Sequence, residues 1–397
     1  MELNIDSLLA SCGDDASDAG ILITATLEPL AGPGAPVKPA VYAGGRYQED
    51  ERWVGEGEQR RVSRVVVIDN VPSEANRLEL GLTKIGPEVG LPEIVLDLSG
   101  VGELPPHLPR RISGFQFPHR QADAYLRDSL LDGEPFPSTE IGKSLLSATA
   151  DEPAALFEWF PQALLFGFWQ SHLGKKGSHA KLARSWVSEI VGINPGTTTT
   201  RTLGIKGDPL NLSVSEQIQY DEDDQTDWQF LEGTKKAGGT KKQESLAEIG
   251  HGQVPFRTGQ EALAAISFEG VVQRSTVSFA GLRHIWCGSA KSNAAGRALL
   301  AAIGLLGHVA AFGRAFSLRS GCDLRPVEVR WCFLGGETDQ EMTALGIADA
   351  KVLFADAVRA AEASGLPVGR RWASTPLVLT PSVQLAKAIR ATYPTGE

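Results

Sequence analysis

The residues best suited to chemistry in this 397-residue chain are basic side chains in short, glycine-containing segments. The densest segment, Gly174–Arg184 (GKKGSHAKLAR), contains no acid. Glycines let a polyanion approach the backbone, and lysine and arginine bind phosphates without reading base sequence. The segment is therefore interpreted either as a nucleic-acid contact or as a solvated basic loop. Its polar members are Lys175, Lys176, Ser178, His179, Lys181 and Arg184.

A second candidate is the junction Asn70–Leu80 (NVPSEANRLEL), where a predicted strand ends and a predicted helix begins. The free amides of a helix N-terminus favour phosphate, and a nearby arginine strengthens that preference. The alternative is ordinary capping, with Arg77 paired to a glutamate. The polar residues concerned are Ser73, Asn76 and Arg77.

Two further groups are weaker candidates. Arg283 and His284 follow an apolar, strand-like run. At this position His284 could bind a polyanion or take part in acid–base chemistry. The segment Thr234–Lys242 (TKKAGGTKK) is typical of a flexible basic finger or of a solubilising loop. Its lysines are Lys235, Lys236, Lys241 and Lys242. The preceding acids, Asp221–Asp224, could bind a divalent metal, but such a run is more often only solvated.

No motif of a known enzyme class accompanies these cations. The sequence has no GxSxG, HExxH or Walker A pattern, and its histidines show no paired spacing. The four cysteines form no CxxC pair and no zinc-like cluster, which favours free thiols in a reducing cytosol. We therefore predict a protein that is not an enzyme and that holds no metal or cofactor.

Charge and hydropathy limit the classes of partner and of location. The net charge is −10, and the first sixty residues contribute −7 of it, with eleven acids against four bases. The longest apolar stretch, Ala298–Phe312, falls short of the roughly 20 residues that a membrane helix needs. The N-terminus lacks the basic region of a signal peptide. A cytoplasmic protein that does not contact membrane is expected.

The pattern of apolar residues predicts an α+β fold. Residues 117–155 are predicted to be helical, and the aromatic segment 157–169 is predicted to be core or interface. Residues 220–258 are predicted to be a long exposed excursion, interpreted as a mobile hairpin. A small ferredoxin-like or RRM-like sheet, assembled from both ends of the chain, is the natural architecture. Strands are predicted at 21–27, 62–69, 93–98, 265–279, 327–334 and 375–379, and helices at 72–82, 296–316, 347–364 and 382–392.

Four segments, taken in order, resemble one protein family. They are VVVIDNVPSEANRLEL (Val65–Leu80), WFPQALLFGFWQSHLGKKGSHAKLARSWVSEIVGIN (Trp159–Asn194), KGDPLNLS (Lys206–Ser213) and QRSTVSFAGLRHI (Gln273–Ile285). Together they are similar to the backbone subunit of type I-G (formerly I-U) CRISPR surveillance complexes, the Cas-seven family of the RAMP superfamily. The resemblance extends over roughly residues 62–290, more than half of the chain.

This resemblance implies a hand-like protein without catalytic activity. Its RRM-like palm would comprise residues 1–115 and 261–397, its helical and basic fingers residues 116–200, and its thumb-like hairpin residues 201–260. Copies of the subunit would polymerise as a helical filament along one guide RNA (crRNA), which reads a target DNA strand by base pairing in antiviral defence. Further partners would be a large subunit, a guide-processing and capping subunit, and a helicase–nuclease recruited later.

Under this interpretation, the cations of the first two segments contact the guide, with Arg283 and His284 as a second group. Trp228 and Phe230 could act as a wedge for splayed bases, and the lysines of Thr234–Lys242 could belong to the thumb. An acidic N-terminal face would meet a basic face of the next subunit. Neutralising Asp14, Asp15 and Asp18 is then expected to weaken assembly and to leave the monomer folded.

An alternative from another class remains open at this point. Related RAMP subunits cut target RNA with a loop aspartate, so the chain could instead be a metal-dependent ribonuclease. The carboxylates available to it would be Asp221–Asp224, Asp69 or Asp123.

Overall fold

The computed structural model of the chain describes residues 1–55, 57–170, 181–197, 200–202, 217–221, 226–230, 242–249, 251, 261–374 and 376–393. It has the mixed α+β composition that the sequence predicts. Two compact units are present. The first contains Met1–Ala43, Tyr47–Pro195 and Ser267–Glu397, and the second contains Gly44–Arg46 and Gly196–Ile266.

The strands and helices of the described ranges are as follows. The strands are β1 (Gly20–Pro29), β2 (Glu49–Val54), β3 (Arg61–Asp69), β4 (Ile94–Asp97), β5 (Arg111–Ser113), β6 (Ser129–Leu131), β7 (Glu134–Pro135), β8 (Phe168–Trp169), β9 (Lys181–Leu182), β10 (Trp186–Pro195), β11 (Thr200–Thr202), β12 (Gln217–Tyr220), β13 (Trp228–Phe230), β14 (Lys242–Ser245), β15 (Glu261–Leu263), β16 (Phe268–Ser278), β17 (Phe316–Arg319), β18 (Cys322–Leu334), β19 (Gln340–Met342) and β20 (Leu377–Pro381). The α-helices are α1 (Ile5–Ser11), α2 (Val71–Val89), α3 (Ala124–Arg127), α4 (Glu140–Ser147), α5 (Ala154–Trp159), α6 (Pro161–Phe166), α7 (Phe279–Leu282), α8 (Ala290–Phe312), α9 (Ile347–Ala363) and α10 (Val383–Thr392).

An eight-stranded antiparallel sheet organises the first unit. Its order is β17-β18-β1-β16-β10-β3-β2, and β19 joins it by pairing with β18. Ile21 of β1 lies opposite Val277 of β16 on one side and opposite Phe333 of β18 on the other. Both ends of the chain therefore contribute to one sheet, as predicted. The sheet is larger than the small one expected, because it also contains β2, β10, β17 and β19, which were not among the predicted strands.

Helix α8 packs into the main core beside the apolar residues of β1, β16 and β18. Close packing requires Gly304, where a Cβ would come within 2.5 Å of the Trp186 ring. Helix α8 is long and apolar enough to cross a membrane by length and composition, unlike the shorter stretch expected from the sequence. Since 89% of its apolar window is buried within the protein, it is explained as a core helix.

Helix α2 begins directly after β3. Asn70 caps it by accepting a hydrogen bond from the Ser73 amide at 3.1 Å, and Gly90 ends it with a left-handed φ of 73°. The helix is longer than the predicted 72–82 and buries Leu78 and Leu82 completely. Strand β3 and helix α2 together place the polar residues of the Asn70–Leu80 junction.

A second sheet of the first unit has the order β5-β4-β20-β6-β7. Strands β4 and β20, the counterparts of the strands predicted at 93–98 and 375–379, pair in parallel, with Ile94 opposite Leu377. The C-terminal part of the chain is thus fixed beside the strand that follows α2.

The prediction that residues 117–155 are helical is wrong for most of this region. The region contains the short helices α3 and α4 and the first residues of α5, together with 3₁₀ turns and the hairpin β6–β7. Its two-residue turn is Asp132–Gly133, with φ values of 50° and 86°. An Asp-Gly pair suits a hairpin turn with positive φ at both residues, so the sequence did carry a signal against a helix.

Asp14, one of the acids of the predicted N-terminal face, is exposed but also bound within the protein. Its carboxylate accepts hydrogen bonds from Arg297 Nη1 at 2.6 Å and from Asn293 Nδ2 at 3.0 Å. These two hydrogen bonds, that of Asn293 first, lower the pKa of Asp14. Because Arg297 is buried and also donates to the carbonyls of Cys12 and Ile285, neutralising Asp14 would disturb the fold itself.

The described residues of the second unit form two small sheets. Strands β12, β13 and β14 form an antiparallel sheet in the order β13-β12-β14, and β11 pairs with β15. Ile218, Tyr220 and Leu246 form its buried cluster, with Trp228 packed against them.

Candidate nucleic-acid interface

The strand–helix junction uses its polar side chains within the protein. Asp69, fully buried at the end of β3, accepts a hydrogen bond from Ser73 Oγ at 3.0 Å and from Arg77 Nε at 2.6 Å. Arg319 of β17 donates to the same carboxylate at 2.6 Å. Arg77 is therefore paired, as the capping alternative proposed, although with an aspartate instead of a glutamate. Asn76 lies exposed on α2.

A buried carboxyl group lies beneath this junction. Glu74 accepts hydrogen bonds from Ser188 Oγ at 2.8 Å and from Gln273 Nε2 at 2.6 Å. Burial, followed by the negative charge of Asp69, raises the pKa of Glu74 well above its usual value. The neutral form of Glu74 is thus favoured, and Asp69 carries the negative charge that faces Arg77 and Arg319.

Arg283 and His284 occupy different environments although they are adjacent. Arg283 is half-buried and donates to the carbonyl oxygens of Asp18 at 2.8 Å and of Ser11 at 3.5 Å, so its guanidinium ties two N-terminal segments to α7. His284 is exposed.

Lys181 and Leu182, near the end of the basic segment, form a short antiparallel ladder with Phe168 and Trp169. Phe168 pairs with Leu182 and Trp169 with Lys181. Gly167 makes the approach possible, because its φ is 75° and a Cβ would come within 2.6 Å of the Leu182 carbonyl oxygen. Phe168 points into the core, whereas Trp169 is 62% exposed.

Lys181 and Trp169 form an exposed pair on this ladder. The Lys181 Nζ atom lies 5.9 Å from the centre of the Trp169 ring, within cation–π range. A large aromatic surface beside a cation suits single-stranded nucleic acid, since bases stack on aromatic rings and phosphates bind the cation. We call Trp169, Lys181 and Arg184 the ladder site.

Arg184, the third member, is exposed and forms no ion pair within the described part of the chain. It lies near the buried pair in which Arg120 donates to both carboxylate oxygens of Glu79 at 2.8 Å. Partial burial, followed by the charge of Arg120, lowers the pKa of Arg184, while Glu79 acts in the opposite direction. Arg184 is therefore a cation available to an anion from outside.

Other predicted contacts lie in the second unit or outside the described residues. Trp228 is half-buried and packs edge-on against Phe230, which is 49% exposed, with 5.5 Å between the ring centres. Lys242 begins β14. The predicted contacts outside the described residues are Lys175, Lys176, Ser178, His179, Lys235, Lys236 and Lys241.

Two aspartates considered for catalysis have structural partners. Asp69 is enclosed by Arg77 and Arg319, as described above. Asp123 is buried and caps α3, accepting hydrogen bonds from the amides of Tyr125 at 2.9 Å and His119 at 3.0 Å.

The acidic run 221–224 is described only at its first residue, Asp221. The other three acids, Glu222, Asp223 and Asp224, lie outside the described residues. Among the residues that the structure covers, no cluster of three potential metal ligands is present.

Trp169 is the functional candidate that sequence reasoning missed. It belongs to a run of aromatic residues whose other members, such as Phe157, Phe160 and Phe166, are fully buried. The available signal was its place next to the basic segment. Residues adjacent in a strand face opposite sides, so a buried Phe168 predicts an exposed Trp169 once the strand is known.

Comparison with protein-family models relates residues 21–195 to the family described as CRISPR-associated protein GSU0053. No curated protein matches the chain significantly. The matched region begins in β1, ends with β10 and includes the ladder site. The resemblance to a CRISPR-associated family is thereby confirmed. Over residues 21–195, this chain is similar to the CRISPR-associated GSU0053 family, and the match supports a CRISPR-associated role.

Proposed function

We propose that the chain is a non-catalytic backbone subunit that binds crRNA in a type I-G CRISPR surveillance complex of the cytoplasm. Several copies would follow one guide as a helical filament, and the guide would pair with a target DNA strand. The large subunit, the guide-processing and capping subunit and a later helicase–nuclease would complete the system. The ladder site is the single observation that carries the assignment of RNA as ligand.

The chemistry of the ladder site supports a nucleic-acid ligand that is bound irrespective of its base sequence. Lys181 and Arg184 can neutralise phosphates, and neither is committed to a carboxylate in the described part of the chain. Trp169 offers a ring face that any base can stack on. A backbone subunit needs this combination, because each copy meets a different part of the spacer sequence.

The topology of the first unit supports an RRM-like palm. Strands β18, β1, β16 and β10 are neighbours in that order, with α2 between β1 and β10 in sequence and α8 between β16 and β18. A ferredoxin-like β-α-β-β-α-β unit has this connectivity. Under the proposal, residues 116–200 act as the fingers and residues 201–260 as the thumb.

The test is co-expression of the full chain with a CRISPR guide transcript and the partner subunits, followed by size-exclusion chromatography. We expect a large oligomer whose absorbance ratio at 260 and 280 nm shows bound RNA. The variant Trp169→Ala/Lys181→Ala/Arg184→Ala should lose RNA and mass, whereas the exposed control Lys143→Ala/Lys387→Ala should not. An RNA-free monomer from the natural sequence would overturn the proposal.

Incubation of the same complex with labelled RNA separates the two functional classes. We expect stable binding and intact RNA with Mg²⁺ as well as with a chelator. Cleavage that needs Mg²⁺ and disappears on Asp221→Ala substitution would instead identify a ribonuclease.

A further inference from the structure

A groove on the first unit, which shares no lining residue with β8 or β9, has an unusual electrostatic character for a protein of net charge −10. It has a volume of about 310 Å³ and lies between α2 and the segment that joins α8 to β17. Arg77, Lys84 and Arg314 line it, and none of its described lining residues is acidic. We call it the α2–β17 groove.

Two of these cations have no partner of their own. Lys84 and Arg314 are exposed and form neither a hydrogen bond nor an ion pair through their side chains within the described part of the chain. The acid best placed to pair with Lys84 is Glu88, one turn further along α2. Glu88 instead accepts from Lys351 of α9 at 2.6 Å, so it is already engaged by another lysine.

The charge beneath the groove is also positive on balance. Arg77 and Arg319 share the single carboxylate of Asp69, which leaves one positive charge uncompensated. The carboxyl of Glu74, on the same helix as Arg77, is held towards its neutral form by burial and by Asp69. The C-terminal end of α8 contributes about half a negative charge, which the cations outweigh.

The remaining lining favours a nucleotide strand over a free inorganic ion. Leu80 is 46% exposed, and Phe316 is half-buried and packs edge-on against Phe312 at 4.9 Å between ring centres. Cations beside apolar surface can bind a phosphate and cover a sugar or base at the same time. An acidic segment of a second copy is less suitable, because Asp14, Glu28 and Glu49 are already paired within the chain.

We propose that the α2–β17 groove is a second nucleic-acid site, in which Lys84 and Arg314 bind the phosphodiester backbone of a single strand. Arg77 shapes the groove but remains bound to Asp69. The inference rests on the proposed function, since it assigns a further contact to the same class of ligand. It differs in location, because none of its residues belongs to the ladder site.

The test measures binding of a labelled single-stranded RNA to the full-length chain over a series of salt concentrations. Each phosphate contact on a single strand contributes about 0.7 to the slope of log affinity against log salt. The variant Lys84→Ala/Arg314→Ala should therefore reduce that slope by about 1.4 relative to the natural sequence. Lys143→Ala/Lys387→Ala removes two exposed charges elsewhere, on α4 and α10, and should leave the slope unchanged.

A second readout locates the contact directly. Acetylation of lysines, followed by mass spectrometry, should show Lys84 protected by the RNA and Lys143 unprotected. Protection by a nucleoside monophosphate but not by RNA would overturn the assignment to a strand. Protection that appears without RNA and rises with protein concentration would indicate a second copy and would overturn it too.

The outcomes separate this inference from the proposed function. One outcome is that RNA binds and protects Lys181 from acetylation, yet leaves Lys84 unprotected and the salt slope of Lys84→Ala/Arg314→Ala equal to that of the natural sequence. In that case the groove proposal fails and the proposed function stands. If the natural sequence binds no RNA in the complex, both fail.

Discussion

The buried and the exposed arginines of this protein have the same chemistry and different surroundings. In the interior, Arg120 meets Glu79 and Arg297 meets Asp14, and each guanidinium also donates to backbone carbonyls. On the surface near β9, Arg184 has no such partner in the described part of the chain. A buried charge must be paired, whereas an exposed one is stabilised by water and can stay unpaired and accessible to a ligand.

This difference shows why a basic residue in a sequence is ambiguous. Arg77 and Arg283 stand in segments that suit phosphate binding, yet both hold parts of the protein together. Their exposure and their partners, not their residue type, distinguish them from Lys181 and Arg184. Substitutions in the two regions should therefore affect different measurements.

The largest effect is expected in the interior, at the Arg120–Glu79 pair. Glu79→Gln keeps the shape of the side chain but leaves the buried Arg120 guanidinium without its counter-charge. The free energy of unfolding, measured with urea, should fall by about 3–5 kcal/mol. Replacing both residues, as Arg120→Met/Glu79→Leu, should restore much of the loss, because no unpaired charge remains buried.

A matched control lies on the same helix. Glu88→Gln makes the same chemical change, but Glu88 is 65% exposed and pairs with Lys351 at the surface. Its cost should stay below about 1 kcal/mol. Equal losses for the two variants would contradict the distinction between interior and surface.

The second effect concerns Arg283, which the sequence suggested as an RNA contact. Arg283→Ala removes the donor from the carbonyls of Asp18 and Ser11, and we expect a loss of about 1–2 kcal/mol in unfolding free energy. RNA affinity and its salt slope should not change. Arg274→Ala, an exposed position on the adjacent strand β16, is the control for stability. Weaker RNA binding with unchanged stability would show that Arg283 belongs with the exposed cations.

The sequence predicted those parts of the fold that have a long, regular pattern. Strands β1 and β3 and helices α8 and α9 were located within six residues at each end, because their apolar residues recur at the period of the element. The region 117–155 was mistaken because its elements are only two to eight residues long. Too few repeats occur in such elements for a period to be recognised.

The candidate site was predictable only in part, because some of its features depend on contacts that form only in the tertiary structure. Lys181 and Arg184 were identified from local charge density, which a single segment displays. The partner of Arg283 is 265 residues away in the chain, and no local pattern encodes that contact. Trp169 could not be separated from its buried aromatic neighbours until the two-residue strand β8 was known.

The third effect depends on pH and tests the buried Glu74. Its pKa in the folded protein is raised above the ordinary value of 4.5, so the folded state binds the proton more tightly than the unfolded state. The natural protein should therefore lose stability as the pH rises above 4.5. Glu74→Gln keeps the acceptor for Ser188 and Gln273 but carries no charge, so it should be more stable than the natural sequence at neutral pH.

That advantage should shrink as the pH is lowered towards 4.5, where Glu74 is protonated in both states. Urea unfolding at a series of pH values measures the difference directly. Glu88→Gln, with its exposed carboxylate, is the control and should show no such trend. A constant difference between Glu74→Gln and the natural sequence at all pH values would contradict a buried carboxyl that titrates.

The smallest effect on stability is expected at Arg184, and its sign matters most for the comparison. Partial burial and the charge of Arg120 both disfavour its charged form, and only Glu79 favours it. Arg184→Ala should therefore change the unfolding free energy by no more than about 0.5 kcal/mol, and towards greater stability. The same variant should weaken RNA binding and lower its salt slope by about 0.7. If Arg184→Ala raises the free energy of unfolding slightly and weakens RNA binding, Arg184 serves its ligand and not the fold. A clear loss of stability would instead place Arg184 with the interior arginines.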